Sequence, residues 1–100
     1  HGAVENLAVV EKTPAFCLEQ VVAFDDFFVY RLTLKPKGKY RFPCRGSYFL
    51  LMIIAGQICV DSDVLRPENA FLFPATSSPV ECINSGAFDA VLLISAPFAL

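Results

Sequence analysis

The sequence predicts an all-β fold, a sandwich or barrel of short strands with little helix, and three observations predict it. Phe28, Tyr30, Leu32 and Leu34 alternate with Val29, Arg31, Thr33 and Lys35, the period of two that marks a half-buried strand. Turn-forming clusters recur at roughly the eight-to-twelve-residue spacing of sandwiches and barrels. Helical patterning is almost absent: only residues 3–12 could carry a helix, and Pro14 ends any such stretch.

In chain order, residues 3–12 read either as that helix or as an extended linker, which makes 1–14 a lead-in and 15–100 a single β domain. The strand from Phe28 runs into Lys35-Pro36-Lys37-Gly38, a turn in which proline sets φ and glycine tolerates positive φ. Lys39-Tyr40-Arg41-Phe42 alternates again until Pro43, which confines this piece to an edge or a strand end. Residues 47–55 form a continuous apolar strand that stops at Gly56, and 57–60 return to the turn Asp61-Ser62-Asp63. Strands over 64–65, 70–73, 80–83 and 88–95 complete the set. They are separated by Arg66-Pro67-Glu68-Asn69, Thr76-Ser77-Ser78-Pro79 and Asn84-Ser85-Gly86.

Composition excludes several classes. Hydrophobic residues make up 55 % of the chain and charged residues 18 %, so disorder, which pairs low hydrophobicity with high charge, is ruled out. The uninterrupted apolar run from Tyr48 to Ala55 is far below the ~18 residues of a membrane-spanning helix. A net charge of −2 gives no electrostatic case for nucleic acid. Cys17, Cys44, Cys59 and Cys82 contain no Cys-x-x-Cys pair, so neither a zinc ribbon nor a thioredoxin motif is present. No charged stretch followed by an apolar one opens the chain as a secretion leader does, so four reduced cysteines and a cytoplasmic protein are expected.

Three segments together resemble the C-terminal β domain of type I mannose-6-phosphate isomerases, members of the cupin superfamily. The first is Phe24-Asp25-Asp26-Phe27-Phe28-Val29-Tyr30-Arg31-Leu32, the second the long apolar strand Gly46 to Gly56, and the third Leu65 to Ala75 with its Pro67, Asn69 and Pro74-Ala75. The likeness spans about residues 16–98. It implies a cupin-like jelly roll and a non-catalytic role. In that family zinc, held by a Gln, a Glu and two His of an N-terminal cupin domain, serves the interconversion of mannose 6-phosphate and fructose 6-phosphate.

The departures from metal-binding cupins are informative. Counted from Gly38, the two His positions of the first cupin motif fall on Cys44 and Gly46, and its Glu falls among Phe49, Leu50 and Leu51. In the second motif Pro67 matches, Asn69 replaces a glycine, and Leu72 stands where the last His would be. Asn is a sensible substitute because it tolerates the left-handed conformation best after Gly. Apolar side chains cannot ligate a metal. With His1 the single histidine, no catalytic and no metal-binding residue is assigned, and no cofactor is expected in this chain.

The basic residues Arg31, Lys35, Lys37, Lys39, Arg41 and Arg45 are clustered. Lys37, Lys39, Arg41 and Arg45 are the candidates for an anion patch that meets a sugar phosphate, against the reading of a solvated hairpin tip whose lysines discourage edge pairing. The pairs Asp25-Asp26 and Asp61/Asp63 read as turn residues that bond their own backbone. Ser77-Ser78 has no histidine to act as its base. The ten phenylalanines read as core.

The apolar strand carries the functional expectation. Tyr48, Leu50, Met52 and Ile54 share one face and Phe49, Leu51, Ile53 and Ala55 the other, and a core covers only one of them. One set is therefore an interface, covered by an absent N-terminal catalytic domain, by a second copy in a homodimer, or by residues 3–12 folded back. A stand-alone cupin-like module that binds a small apolar ligand or oligomerises, without metal, is the alternative.

Overall fold

The computed structural model describes residues 4–23, 27–42, 48–60, 63–67, 69–73, 80–97 and 100, with no helix among them. Ten strands follow one another: β1 (Val4–Lys12), β2 (Phe16–Ala23), β3 (Phe28–Leu34), β4 (Lys39–Phe42), β5 (Phe49–Ala55), β6 (Ile58–Val60), β7 (Asp63–Leu65), β8 (Ala70–Phe73), β9 (Val80–Asn84) and β10 (Ala90–Ala96). They form a six-stranded sheet in the order β1-β2-β3-β10-β5-β8 and a four-stranded sheet in the order β4-β9-β6-β7. The ladders are antiparallel, and successive strands repeatedly switch sheets, which makes a jelly-roll sandwich.

The alternation read in the sequence is the burial pattern of the structure. Tyr30, Leu32 and Leu34 of β3 point inward, as do Leu92 and Ile94 of β10, all at most 1 % exposed. Tyr40 and Phe42 of β4, Ile58 and Val60 of β6, and Cys82 of β9 meet them from the second sheet. Four aromatic rings close the sandwich along one side. Phe16 meets Tyr40 edge-on at 4.9 Å, Tyr40 meets Phe42 edge-on at 5.0 Å, and Phe42 lies tilted against Phe49 at 4.9 Å. The chain of contacts steps from β2 to β4 and on to β5, so it bridges the two sheets. The outward face of the large sheet carries an ion pair over β2 and β3, where Arg31 Nε and Nη2 both donate to Glu19 Oε1 at 3.1 and 2.9 Å.

Three expectations change. The stretch open between helix and linker is extended, since Val4–Lys12 pairs along β2 as β1 with register shifts after Glu5 and Val9. Residues 16–23, which show no clean alternation, form β2. The turn at Pro36 is not the tip of a hairpin: β3 lies in the large sheet, whereas β4 pairs with β9 at the edge of the small one. β4 is an edge strand, one of the two placements that Pro43 allowed. The left-handed residue of that turn is Lys37, at φ 66°, and not Gly38. Glycine is required at 38 for room, because a Cβ there would stand 2.5 Å from the Ala15 carbonyl oxygen.

Candidate functional site

The space between the sheets is filled mainly by apolar side chains, among them Leu32, Phe42, Leu51, Ile58 and Leu92, each at most 1 % exposed. Phe49 and Leu51, two of the residues at the Glu position of the first motif, face inward and are buried, while the third, Leu50, faces outward. Leu72, at the position of the last His, also faces outward beside Leu50, and its neighbour Phe71 packs against the core instead. Cys44 and Gly46 lie outside the described residues. None of the described side chains at these positions fits a metal, and among the described residues no group of three or more His, Cys, Asp or Glu comes together. Asn69, expected to adopt a left-handed conformation, acts through its side chain: Oδ1 accepts from Arg66 N at 2.9 Å while Asn69 N donates to Arg66 O at 3.0 Å.

The interior polar groups are satisfied or inert. Asn84, 1 % exposed, donates from Nδ2 to the carbonyls of Leu34 and Phe88 at 2.9 and 2.7 Å and accepts from Gly86 N at 2.8 Å. Burial pushes the Tyr40 phenol from 10 up to about 12, with the Glu11 carboxylate adding to the shift. Burial likewise pushes the fully enclosed Cys82 thiol from 9 up to about 12, so it is no nucleophile at neutral pH. Cys17 is also a thiol, half-buried, and Cys44 lies outside the described residues.

Both raised groups are neutral when folded, and the unfolded chain loses the same protons first. Stability is therefore expected to hold below about pH 9 and to fall as pH rises towards about 12. Urea unfolding across that window checks this, and the double variant Tyr40→Phe, Cys82→Ala should show a flatter decline whatever its absolute stability.

The basic candidates do not converge. Lys39 and Arg41 project from the exposed face of β4, where Arg41 lies 3.9 Å from Glu81. Lys35 sits in the turn, paired with Asp89 at 3.1 Å, and Lys37 is exposed beside it. Arg31 belongs to the outer face of the other sheet, paired with Glu19. The two exposed pairs, Lys35–Asp89 and Arg41–Glu81, contribute about 0–1 kcal/mol each. Arg45, the Asp25-Asp26 pair, Asp61, Ser77 and Ser78 lie outside the described residues, and Asp63 begins β7.

The apolar strand resolves into its two faces. Phe49, Leu51 and Ile53 are core, whereas Tyr48 (61 %), Leu50, Met52 and Ile54 are exposed. Leu72 of β8, 61 % exposed, lies opposite Leu50, and Phe27 is exposed near the same corner. An apolar cavity of about 250 Å³ opens there between Phe27, Tyr48, Leu50, Leu72 and Pro97. On one outer face, then, the β2–β3 half carries an ion pair and the β5–β8 half carries large hydrocarbon. Phe27 and Phe88 were read as core and are exposed instead.

No protein-family model matches the sequence, and no curated protein matches it. Solved structures do. The chain superposes on the cupin_2 domain of an XRE-family transcriptional regulator from Enterobacter cloacae with a TM-score of 0.72 at 16 % identity, covering 86 % of this chain and 99 % of that one. An RmlC-like cupin from Shewanella frigidimarina gives 0.74 at 11 % identity, covering 94 % and 86 %. A sugar phosphate isomerase of the cupin superfamily from Silicibacter pomeroyi gives 0.66 at 16 % identity, covering 82 % and 60 %. The jelly roll is thus the cupin fold, as the sequence led us to expect.

Proposed function

We propose that this chain is a non-catalytic cupin-fold domain that works by docking, as the C-terminal domain of a mannose-6-phosphate isomerase. The observation that carries this reading is the division of labour within β5. Its inward residues fill the sandwich, and the described residues at the counted ligand positions carry no side-chain donor atoms, while its outward Leu50, Met52 and Ile54, with Tyr48 just before the strand, face a neighbour. Burying one such side chain is worth about 1.5–3 kcal/mol, so this face gains far more from a cover than from water. The isomerase assignment rests on the residue resemblance set out above, and a sugar phosphate isomerase among the proteins of this fold agrees with it. In this reading zinc and the catalytic residues belong to an N-terminal cupin domain, the occupant of the face is that domain, and the whole is a cytoplasmic enzyme of sugar-phosphate metabolism.

The test has two parts. The isolated chain should show no mannose 6-phosphate isomerase activity with zinc added, and the coding sequence upstream should specify a cupin domain with the Gln, Glu and two His ligands. In sedimentation the isolated chain should self-associate through the uncovered face, and Leu50→Lys or Met52→Lys should convert it to soluble monomer. Activity in the isolated chain, or a wild-type monomer that does not bind the upstream domain, overturns the proposal.

A further inference from the structure

At one end of the sandwich the β5–β6, β7–β8 and β9–β10 connections meet around a cavity of about 470 Å³. That is within the range of roughly 300–1,000 Å³ usual for small-ligand sites. It shares no lining residue with the apolar cavity at the outer face. We propose that this loop end binds a small ring-bearing anion, a carboxylate or phosphate ester whose ring lies on Phe88 and whose charge meets Arg66.

Each wall is pinned before any ligand arrives. Gly56 turns at φ 77°, and its missing side chain lets the turn close on β10, since a Cβ would stand 2.8 Å from both Ala90 Cα and the Asp89 carbonyl oxygen. Next to it, Gln57 Nε2 donates to Ser85 Oγ at 3.3 Å, tying the first loop to the third. The backbone of Arg66 is held on both sides by Asn69. Asn84 fixes the third loop through Gly86 N and Phe88 O. A site whose backbone is already ordered costs little further entropy on binding.

The two recognition groups, Phe88 and Arg66, both line the cavity and are exposed. Phe88 is 81 % exposed, more than any other large hydrophobic residue described, although the carbonyl of that same residue is anchored. A ring held in water on a fixed loop gains by stacking on a flat partner. Arg31, Lys35 and Arg41 all pair with carboxylates, whereas Arg66 pairs with none among the described residues. Lys35 also neutralises Asp89, the acid next to Phe88 in the chain, at 3.1 Å. The planar fork of Arg66 matches two oxygens of a carboxylate or a phosphate, and the Gln57 amide supplies a neutral polar contact.

Titration of the 15N-labelled chain with benzoate, phenyl phosphate and neutral benzyl alcohol tests this. Saturable shifts confined to the amides of Gly56, Gln57, Gly86 and Phe88 are expected, with half-saturation near about 1 mM for at least one anion. The anion that binds identifies the head group. Arg66→Gln should weaken binding by about 10-fold, the worth of a charge-assisted contact. Ala87→Trp, an exposed substitution at the cavity wall, should abolish binding while the spectrum stays dispersed. The proposal is overturned by equal binding of benzyl alcohol, by unchanged affinity in Arg66→Gln, or by shifts centred on Tyr48 and Leu72. Failure of both anions to saturate by about 20 mM overturns it too. Because none of these residues lies on the docking face, the outcome leaves the docking proposal unaffected.

Discussion

Phe42→Ala is expected to cost about 3–5 kcal/mol, the range for deleting a buried aromatic ring, and so to consume much of the ~5–15 kcal/mol that holds a domain of this size together. Phe42 is 1 % exposed and touches Tyr40 on its own strand and Phe49 across the sandwich, so its loss opens a void where the two sheets meet. The melting temperature should fall by roughly 20 °C, and the denaturant midpoint should fall with it. Phe88→Ala is the matching control. With its ring 81 % exposed, it should change stability by no more than about 0.5 kcal/mol. Similar losses in the two variants would mean that the sheets are not joined through this aromatic row.

Asn84→Leu should cost about 2–4 kcal/mol although leucine is close to asparagine in shape. The hydrocarbon would leave the Leu34 and Phe88 carbonyls and the Gly86 amide without their partner, and a buried group left unsatisfied costs ~1–3 kcal/mol. The backbone of the same residue ties β9 to the crossover turn, since Lys37 N donates to Asn84 O and Asn84 N to Gly38 O, both at 2.9 Å. These backbone bonds survive the substitution. The damage should therefore concentrate in the β9–β10 loop. Hydrogen exchange checks this, with the Gly86 amide accelerated more than those of β3. A neutral substitution, or uniform acceleration, would show that the side chain does not organise the loop.

The sequence by itself determined the fold class and most of the strands, because local patterning reports local geometry. In Phe28–Leu34 and Lys39–Phe42 the alternation of side chains is the alternation of burial, and no distant contact is needed to read it. That residues 49–51 and 72 are apolar was legible too, but which of them face the interior was not, since Leu50 and Leu72 turn outward while Phe49 and Leu51 are buried. β1 and β2 were not legible, since Val4–Lys12 becomes a strand only by pairing with β2, and every described side chain from Ala8 to Lys12 stays exposed. Nor could spacing say that Lys35-Pro36-Lys37-Gly38 leads from one sheet to the other, because a turn has the same composition whichever strand the chain joins next.

The strand Phe49–Ala55 shows where sequence stops. Both of its faces are apolar, so periodicity alone left Phe49, Leu51 and Ile53 equivalent to Leu50, Met52 and Ile54. Pairing with β10 and β8, regular from Leu50 to Ile53 against β10 and shifted at Ile54, turned the first set onto the core and the second to the surface. Arg66 and Phe88 lie 22 residues apart on two loops and carry no motif. Only the packing of those loops onto the β5–β6 turn brought them to one cavity, because adjacency across a sandwich depends on strand order, which no local pattern encodes.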